Sequence, residues 1–175
     1  MYQLRELNKK DLPKINQWRN DPELISMLGA PFRYIDIQVD EKWFEKYMMN
    51  RSSEVRCSIV DENDEIVELI SLVSINYLNQ SAELHIMIGD KANQGKGIGS
   101  FAVGQILNHA FMNMNLQRVE LTVLASNLRA QRLYEKCGFV KEGIKRKARF
   151  KSGIFEDMLM FAVLKDEYKE IKKNG

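Results

Sequence analysis

The chain predicts an α/β (α+β) fold: one domain with a mixed, mostly antiparallel β-sheet flanked by helices. Runs of apolar period 2 and runs of helical period follow one another in the order β-α-α-β-β-β-α-β-α-β-β. Three successive strands in the middle are joined by connections too short for a crossover, which makes them antiparallel. The 175 residues, 45% apolar and 29% charged, suffice for one core and are too few for two domains of ordinary size.

Tyr2 to Leu7 alternates weakly and forms the first strand. A helix starts near Asp11, with Pro13 confined to its first turn and Leu12, Ile15 and Trp18 at helical spacing. Asp21-Pro22 breaks it. A second helix covers about Asp40 to Met49, with Trp43, Phe44 and Tyr47 on one side. Val55 to Val60 alternates at period 2, Ile66 to Leu78 is a long apolar strand, and Ala82 to Ile88 is the next; Asp61 to Asp64 and Asn79 to Ser81 are the turns between them. A polar, Gly-rich segment from Gly89 to Gly99 leads into a helix with a stripe of Phe101, Ala102, Ile106, Ala110 and Met114. Val119 to Ala125 is apolar at nearly every position, as a buried central strand requires. Asn127 to Lys136 is a helix, and Gly138 stands where a left-handed residue closes it. Phe139 to Lys151 and Ile154 to Leu164 are two strands turning at Ser152-Gly153. The domain spans 1–168, and 169–175 is a polar tail.

Composition excludes several function classes. With 26 Lys+Arg against 24 Asp+Glu the net charge is +2, too small for a dedicated nucleic-acid binder. Cys57 and Cys137 are too few for a disulfide framework or a four-thiolate metal site, so no metal is expected. There is no apolar leader at the N-terminus and no stretch long enough to span a membrane. The expected setting is the cytoplasm, with both thiols reduced.

The segment Gln94-Gly95-Lys96-Gly97-Ile98-Gly99-Ser100 carries the most chemistry. Glycine lets the backbone turn and approach a ligand closely. The helix behind it presents unpaired N–H groups and a positive dipole end, which suits a phosphate or diphosphate. The spacing matches neither a P-loop nor a dinucleotide-binding fingerprint.

In its context, this segment resembles the coenzyme signature of the GNAT superfamily of N-acetyltransferases, Gln/Arg-x-x-Gly-x-Gly/Ala between the fourth strand and the helix after it. Gln94, Gly97 and Gly99 fit that pattern. Downstream, Asn127, Ala130 and Leu133 to Phe139 resemble a second signature, N-x-x-A-x-x-x-Y-x-x-x-G-F. Ile75 to Leu78 and Ser81 to Ile86 are similar to spermidine N-acetyltransferases. Trp18 to Pro22 and Lys42 to Phe44 are more similar to amino-sugar and ribosomal-protein alanine acetyltransferases.

The resemblance implies an acetyl-CoA-dependent transfer to a primary amine, which is mainly proximity and orientation. It implies that Gln94 to Ser100 hold the coenzyme's diphosphate. It places Met87, Ile88 and Gly89 along its arm, where a main-chain N–H can receive developing negative charge. Tyr134 matches the tyrosine that protonates the departing thiolate, and Asn127 a polar contact to the arm that can also cap its helix. Glu83 and His85 share one face of their strand, and either could take the amine's proton; Glu83 is preferred.

Cys137 reads as a packing residue. Lys145, Lys147, Arg149 and Lys151 share one face of a strand at period 2, either solvated or against a phosphate-bearing substrate or another subunit. The segment from Asp21 to Asn50 holds six acids against three bases, a balance that suits a cationic amine. The expected acceptor is a small metabolite: polyamine-like first, an amino sugar or its nucleotide second. A protein N-terminus and a non-catalytic acyl-CoA-binding module are the alternatives. A homo-oligomer, dimer or larger, is allowed by analogy alone.

Overall fold

The structure is a computed structural model that describes residues 1–89, 93 and 95–168. The polar tail and Gln94 lie outside the described residues. Seven strands form one sheet: β1 (Gln3–Glu6), β2 (Val55–Val60), β3 (Ile66–Asn76), β4 (Ser81–Ile88), β5 (Arg118–Leu124), β6 (Val140–Lys151) and β7 (Ile154–Leu164), in spatial order β1-β2-β3-β4-β5-β7-β6. Every neighbouring pair is antiparallel except β4 and β5.

Five helices cover the sheet: α1 (Leu12–Arg19), α2 (Pro22–Ser26), α3 (Ile37–Met49), α4 (Ile98–Asn108) and α5 (Leu128–Lys136). The short α2 is absent from the sequence-based order, as are a 3-10 turn at Lys9–Asp11 and a π-helical turn at His109–Asn113 that continues α4. Asp21-Pro22 ends α1 and also starts α2: the Asp21 carboxylate accepts the amides of Glu23 and Leu24, and Pro22 takes the first helical position. α3 begins at Ile37, three residues earlier than expected, because Asp36 caps it through the Gln38 amide.

The two sheet faces bury different cores. Ile70, Leu72 and Leu84 pack with Ala102, Ile106 and Phe111 on the side of α4 and α5. Leu7, Leu69 and Tyr47 pack with Leu12, Ile15 and Trp18 on the side of α1 and α3. β5 places Val119, Leu121 and Val123 in the first core and leaves Glu120 exposed on its other face, so it is less fully covered than its sequence suggested.

One buried carboxylate ties β1, β2 and the start of α1 together. Asp11 accepts two nitrogens of Arg5 at 2.8 Å, the Ser58 hydroxyl at 2.6 Å and the Asn8 amide at 3.0 Å. Burial alone would raise its pKa, but the Arg5, Ser58 and Asn8 donors outweigh burial and hold the carboxyl below its ordinary value. A lowered folded pKa gives stability that is complete above the unfolded value near pH 4 and is lost as pH falls through the folded one. The stability gap between the protein and Asp11→Asn is therefore expected in full near neutrality and should shrink on acidification below about pH 4. Urea unfolding of both proteins across that range checks it; a gap that widens on acidification would contradict the sign.

The basic run on β6 is interrupted by a bulge, although Lys145, Arg149 and Lys151 still stand opposite Met158, Glu156 and Ile154, on one face. The β6/β7 register shifts between Lys145 and Arg149, where Lys147 has φ 49° and its amide bonds Asp157 at 2.7 Å. This bulge breaks the alternation. Lys151 is buried under the segment that follows α2, and its ammonium donates to the carbonyls of Ile25 (2.8 Å) and Ala30 (2.5 Å). Arg149 donates to the Gly29 carbonyl at 3.1 Å. Half of the expected solvated face thus pins the segment that follows α2.

Candidate active site

β4 and β5 pair at just three positions, Ser81↔Arg118, Ala82↔Val119 and Glu83↔Glu120. Beyond them β4 stays with β3 as far as Glu68↔Ile88, and β5 stays with β7 as far as Leu124↔Met158. Each strand follows its outer neighbour, so the sheet splits and a cleft of about 1200 Å³ runs through the gap.

Among the described residues, the split leaves one edge of β4 beyond Glu83 without a strand partner. The Gly89 amide donates to the Val67 carbonyl at 3.3 Å. By antiparallel alternation Met87, His85 and Glu83 also turn their main-chain groups toward β3, while Ile88 and Ile86 turn theirs into the gap. Of Met87, Ile88 and Gly89, it is Ile88 whose N–H and C=O face the cleft.

Gly89 has a separate role that the sequence did not signal. A Cβ built there would lie 2.1–2.6 Å from ring atoms of Trp18. The indole is 2% exposed and fills the space over the strand end, so Gly89 is required for close approach. Gly89→Ala is expected to cost about 1–3 kcal/mol through overpacking. Thermal unfolding checks it, and Trp18→Leu in the same chain should recover part of the loss that Ala causes.

On one side of the gap lies the start of α4. Gly95 (φ 81°) and Gly97 (φ 79°) are left-handed, and open space surrounds the position of a Cβ at each. Gly97 is the N-cap, with no side-chain cap on the helix; Phe101 is bonded to the Gly97 carbonyl at 3.0 Å. The amides of the preceding turn have no partner within the helix. Ile98 is buried and anchors the turn. Ser100 bonds Cys137, whose thiol burial pushes up, so it stays protonated and inert. Lys96 is exposed, its ammonium 3.4 Å from Asn93.

α5 forms the next wall. Asn127 caps it through the Ala130 amide (3.1 Å), and its side-chain N–H donates to the Met27 carbonyl (2.9 Å). Tyr134 is buried, packs edge-on against Phe139 at 5.8 Å and lines the cleft. Burial raises its phenol well above the ordinary value, so it holds its proton at any working pH. Arg129, Arg132 and Lys136 line the same wall. The sequence reading missed them, although their i, i+3, i+7 spacing marks one helix face.

Glu83 and His85 lie on the opposite face of β4, with Glu83 Oε1 3.1 Å from His85 Nε2. Glu83 is the last residue of β4 paired with β5, at the apex of the split. Around them are Ser71, Trp43, Arg19 and Arg56. The Arg56 guanidinium stands 4.9 Å from the Trp43 ring centre and that of Arg19 6.0 Å. Arg19 also binds the fully buried Asp40. The structure therefore brings the β4 residues, the glycine segment, Asn127 and Tyr134 around one cleft, with Glu83 across the strand from them.

A further acid was missed. Glu68 is 1% exposed and lines the cleft, and its Oε2 has no hydrogen-bond partner among the described residues. Its signal was a lone carboxylate within Ile66-Val67-Glu68-Leu69-Ile70, an otherwise apolar strand interior. Among the described residues, no group of side chains could hold a metal ion, and no helix is long and apolar enough to cross a membrane.

Comparison with known proteins agrees with this architecture. The model of an acetyltransferase (GNAT) domain matches residues 2–140. A spermidine N(1)-acetyltransferase of Vibrio cholerae is 31% identical over 166 residues, 94% of each chain. A probable N-acetyltransferase of Bacillus subtilis, YjcK, is 34% identical over 147 residues, 81% of this chain and 80% of the other. The crystal structure of spermidine N-acetyltransferase from Vibrio cholerae in complex with CoA and spermine superimposes with a TM-score of 0.90 at 30% identity, over 96% of this chain and 98% of that one. The split sheet, the uncapped helix behind a glycine segment and the match of the family model together place this chain in the GNAT acetyltransferase family, as an N-acetyltransferase that uses acetyl-CoA.

Proposed function

We propose that the chain transfers acetyl directly from acetyl-CoA to the primary amine of a small metabolite, polyamine-like in the first instance. The observation that carries this reading is the split between β4 and β5. It opens a passage from the start of α4 on one face to Glu83 and His85 on the other. The likeness to spermidine acetyltransferases over nearly the whole chain supports the choice of acceptor.

The residues present fit the coenzyme. An uncapped helix start with open glycines, and three cations on α5, suit a diphosphate. The free edge of β4 suits an amide-bearing arm. When bound, acetyl-CoA supplies an acyl group already activated as a thioester. The main-chain N–H of Ile88 or Ile86 can receive the charge that develops on the acyl oxygen. Tyr134 Oη gives its proton to the departing sulfur, and the Glu83–His85 pair takes one from the amine. Asn127 must release the Met27 carbonyl if its N–H is to reach the arm.

The acidic balance of the segment from Asp21 to Asn50 carries less than its count suggests. Asp21 and Asp36 cap helices and Asp40 holds Arg19. Arg19 and Arg56, beside the Glu83–His85 face, favour a second reading: an amine that also bears an anionic group, such as a nucleotide-linked amino sugar. A thiol-release assay over polyamines, amino sugars with their nucleotide derivatives, and N-terminal peptides tests the order. Fastest turnover on polyamines is expected, and activity confined to nucleotide-linked sugars would overturn it. Coenzyme binding with no turnover on any amine would identify a non-catalytic module.

We place the reaction in the cytoplasm, where two partly buried free thiols remain reduced. A homo-oligomer is supported by the exposed Phe150 and Phe155, whose rings meet at a tilt at the β6–β7 turn, and sedimentation velocity would test it.

A further inference from the structure

Glu68 is a buried acid with no part in the steps above. It lies in β3 between Ile59 of β2 and Ile88 of β4. One residue pair further on is Gly89 against Val67, where β4 runs out toward the segment ahead of α4. Its side chain shares the cleft lining with Gly97, Ile98 and Arg129. An ionised carboxylate so placed, with an oxygen that no donor among the described residues reaches, is unfavourable unless a proton or a ligand relieves it.

The surroundings define which. Burial pushes the Glu68 pKa up to about 7, and the Arg129 charge on α5 is what opposes that rise. Among the described residues, the other elements beside it contribute Ile59 and Ile98, neither of them titratable. Arg129 is thus the cation that favours the ionised form. A diphosphate at the start of α4 would compete for that cation and add like charge to the same low-dielectric cleft, and both effects favour the neutral acid.

We propose that Glu68 couples coenzyme capture to uptake of one proton: ionised beside Arg129 in the empty cleft, it takes a proton from solvent as the diphosphate seats and donates that proton in a hydrogen bond to the bound arm. The assignment rests on the seating of acetyl-CoA proposed above. It makes Glu68 a positioning residue rather than a catalytic one. By linkage, coenzyme affinity falls as pH rises above about 7, approaching tenfold per pH unit until the acid ionises in the complex as well.

The test is calorimetric titration of dephospho-CoA, which lacks the separately titrating 3′-phosphate, in Tris and in HEPES at about pH 7.5. The two buffers release very different heats on giving up a proton, so the difference counts protons. The wild-type protein is expected to take up between about one half and one proton per coenzyme bound. Glu68→Gln should take up none and hold a flat affinity across about two pH units. In the wild-type protein, a protonated-carboxyl band should also appear in the infrared difference spectrum on binding, and this arm decides the matter if Glu68→Gln fails to fold. Binding with equal heats in both buffers, or proton uptake that persists in Glu68→Gln, overturns the role of Glu68 alone. Absence of any binding overturns the seating as well.

Discussion

Tyr134→Phe is expected to lower kcat by about 10²–10⁴-fold with coenzyme affinity unchanged within a few-fold. The substitution removes one oxygen and leaves the rest. The ring still packs on Phe139 and stays buried, so the loss reports the proton and not the fold. Burial keeps the phenol protonated over any pH at which the chain is stable, with the neighbouring Cys137 adding to the same direction. Loss of the Tyr134 proton therefore contributes no fall in rate at the alkaline end of the pH profile. Single-turnover measurement of thiol release, beside a binding titration, separates the two effects. An unchanged rate would return Tyr134 to a packing role and leave the thiolate to be protonated by water.

Glu83→Gln is expected to lower kcat/KM by about 10²–10³-fold and to displace the ascending limb of its pH profile, which reports the base of the free enzyme. Glu83 stands at the last β4/β5 pair, where the strands part, and is the less exposed member of its pair with His85 (35% against 57%). If Glu83 takes the proton, His85→Gln should cost less than Glu83→Gln. If His85 takes it and Glu83 only orients the ring, the ranking reverses. Equal and small losses in both would assign the deprotonation to a water chain. The comparison is internal to one strand face, so neither variant disturbs α4 or α5.

Much of this site was legible in the residues, because its parts are local. Gly95 and Gly97 sit before a helix with no side chain to cap it, and their positive φ values are what glycine permits. Asn127, Tyr134 and Gly138 are spaced by one helix and its end, so a single periodic reading holds them together. The strands of the β2–β3–β4 meander were readable from their alternation and short turns. What could not be read depends on pairs far apart in sequence. The split between β4 and β5 follows from each strand's attachment to an outer neighbour, and no residue within either strand encodes it. Gly89, placed along the coenzyme's arm by the resemblance alone, also meets a packing demand that no local pattern shows, the close approach of the Trp18 indole. The basic strand looked uniform because a bulge at Lys147 leaves no mark in composition. Glu68 stood in plain view as one acid among apolar neighbours, but burial by α5 and the strand to either side is a tertiary fact.

Among the described residues, three paired positions and the Gln80 carbonyl, which accepts from Gln117 and Arg118 at the closed end, join the two halves of the sheet, and this has a cost for the empty protein. Two interior strands carry unclaimed main-chain edges, which elsewhere invite association with foreign chains. The natural substitute is the donor itself, whose arm lies where the missing rungs would be. Coenzyme at a hundredfold excess over its Kd would add about 2.7 kcal/mol by mass action. Purified material should accordingly survive heating, storage and dilution far better when saturated with CoA, and the amides of Ile86 and Ile88 should be the first to gain protection from deuterium.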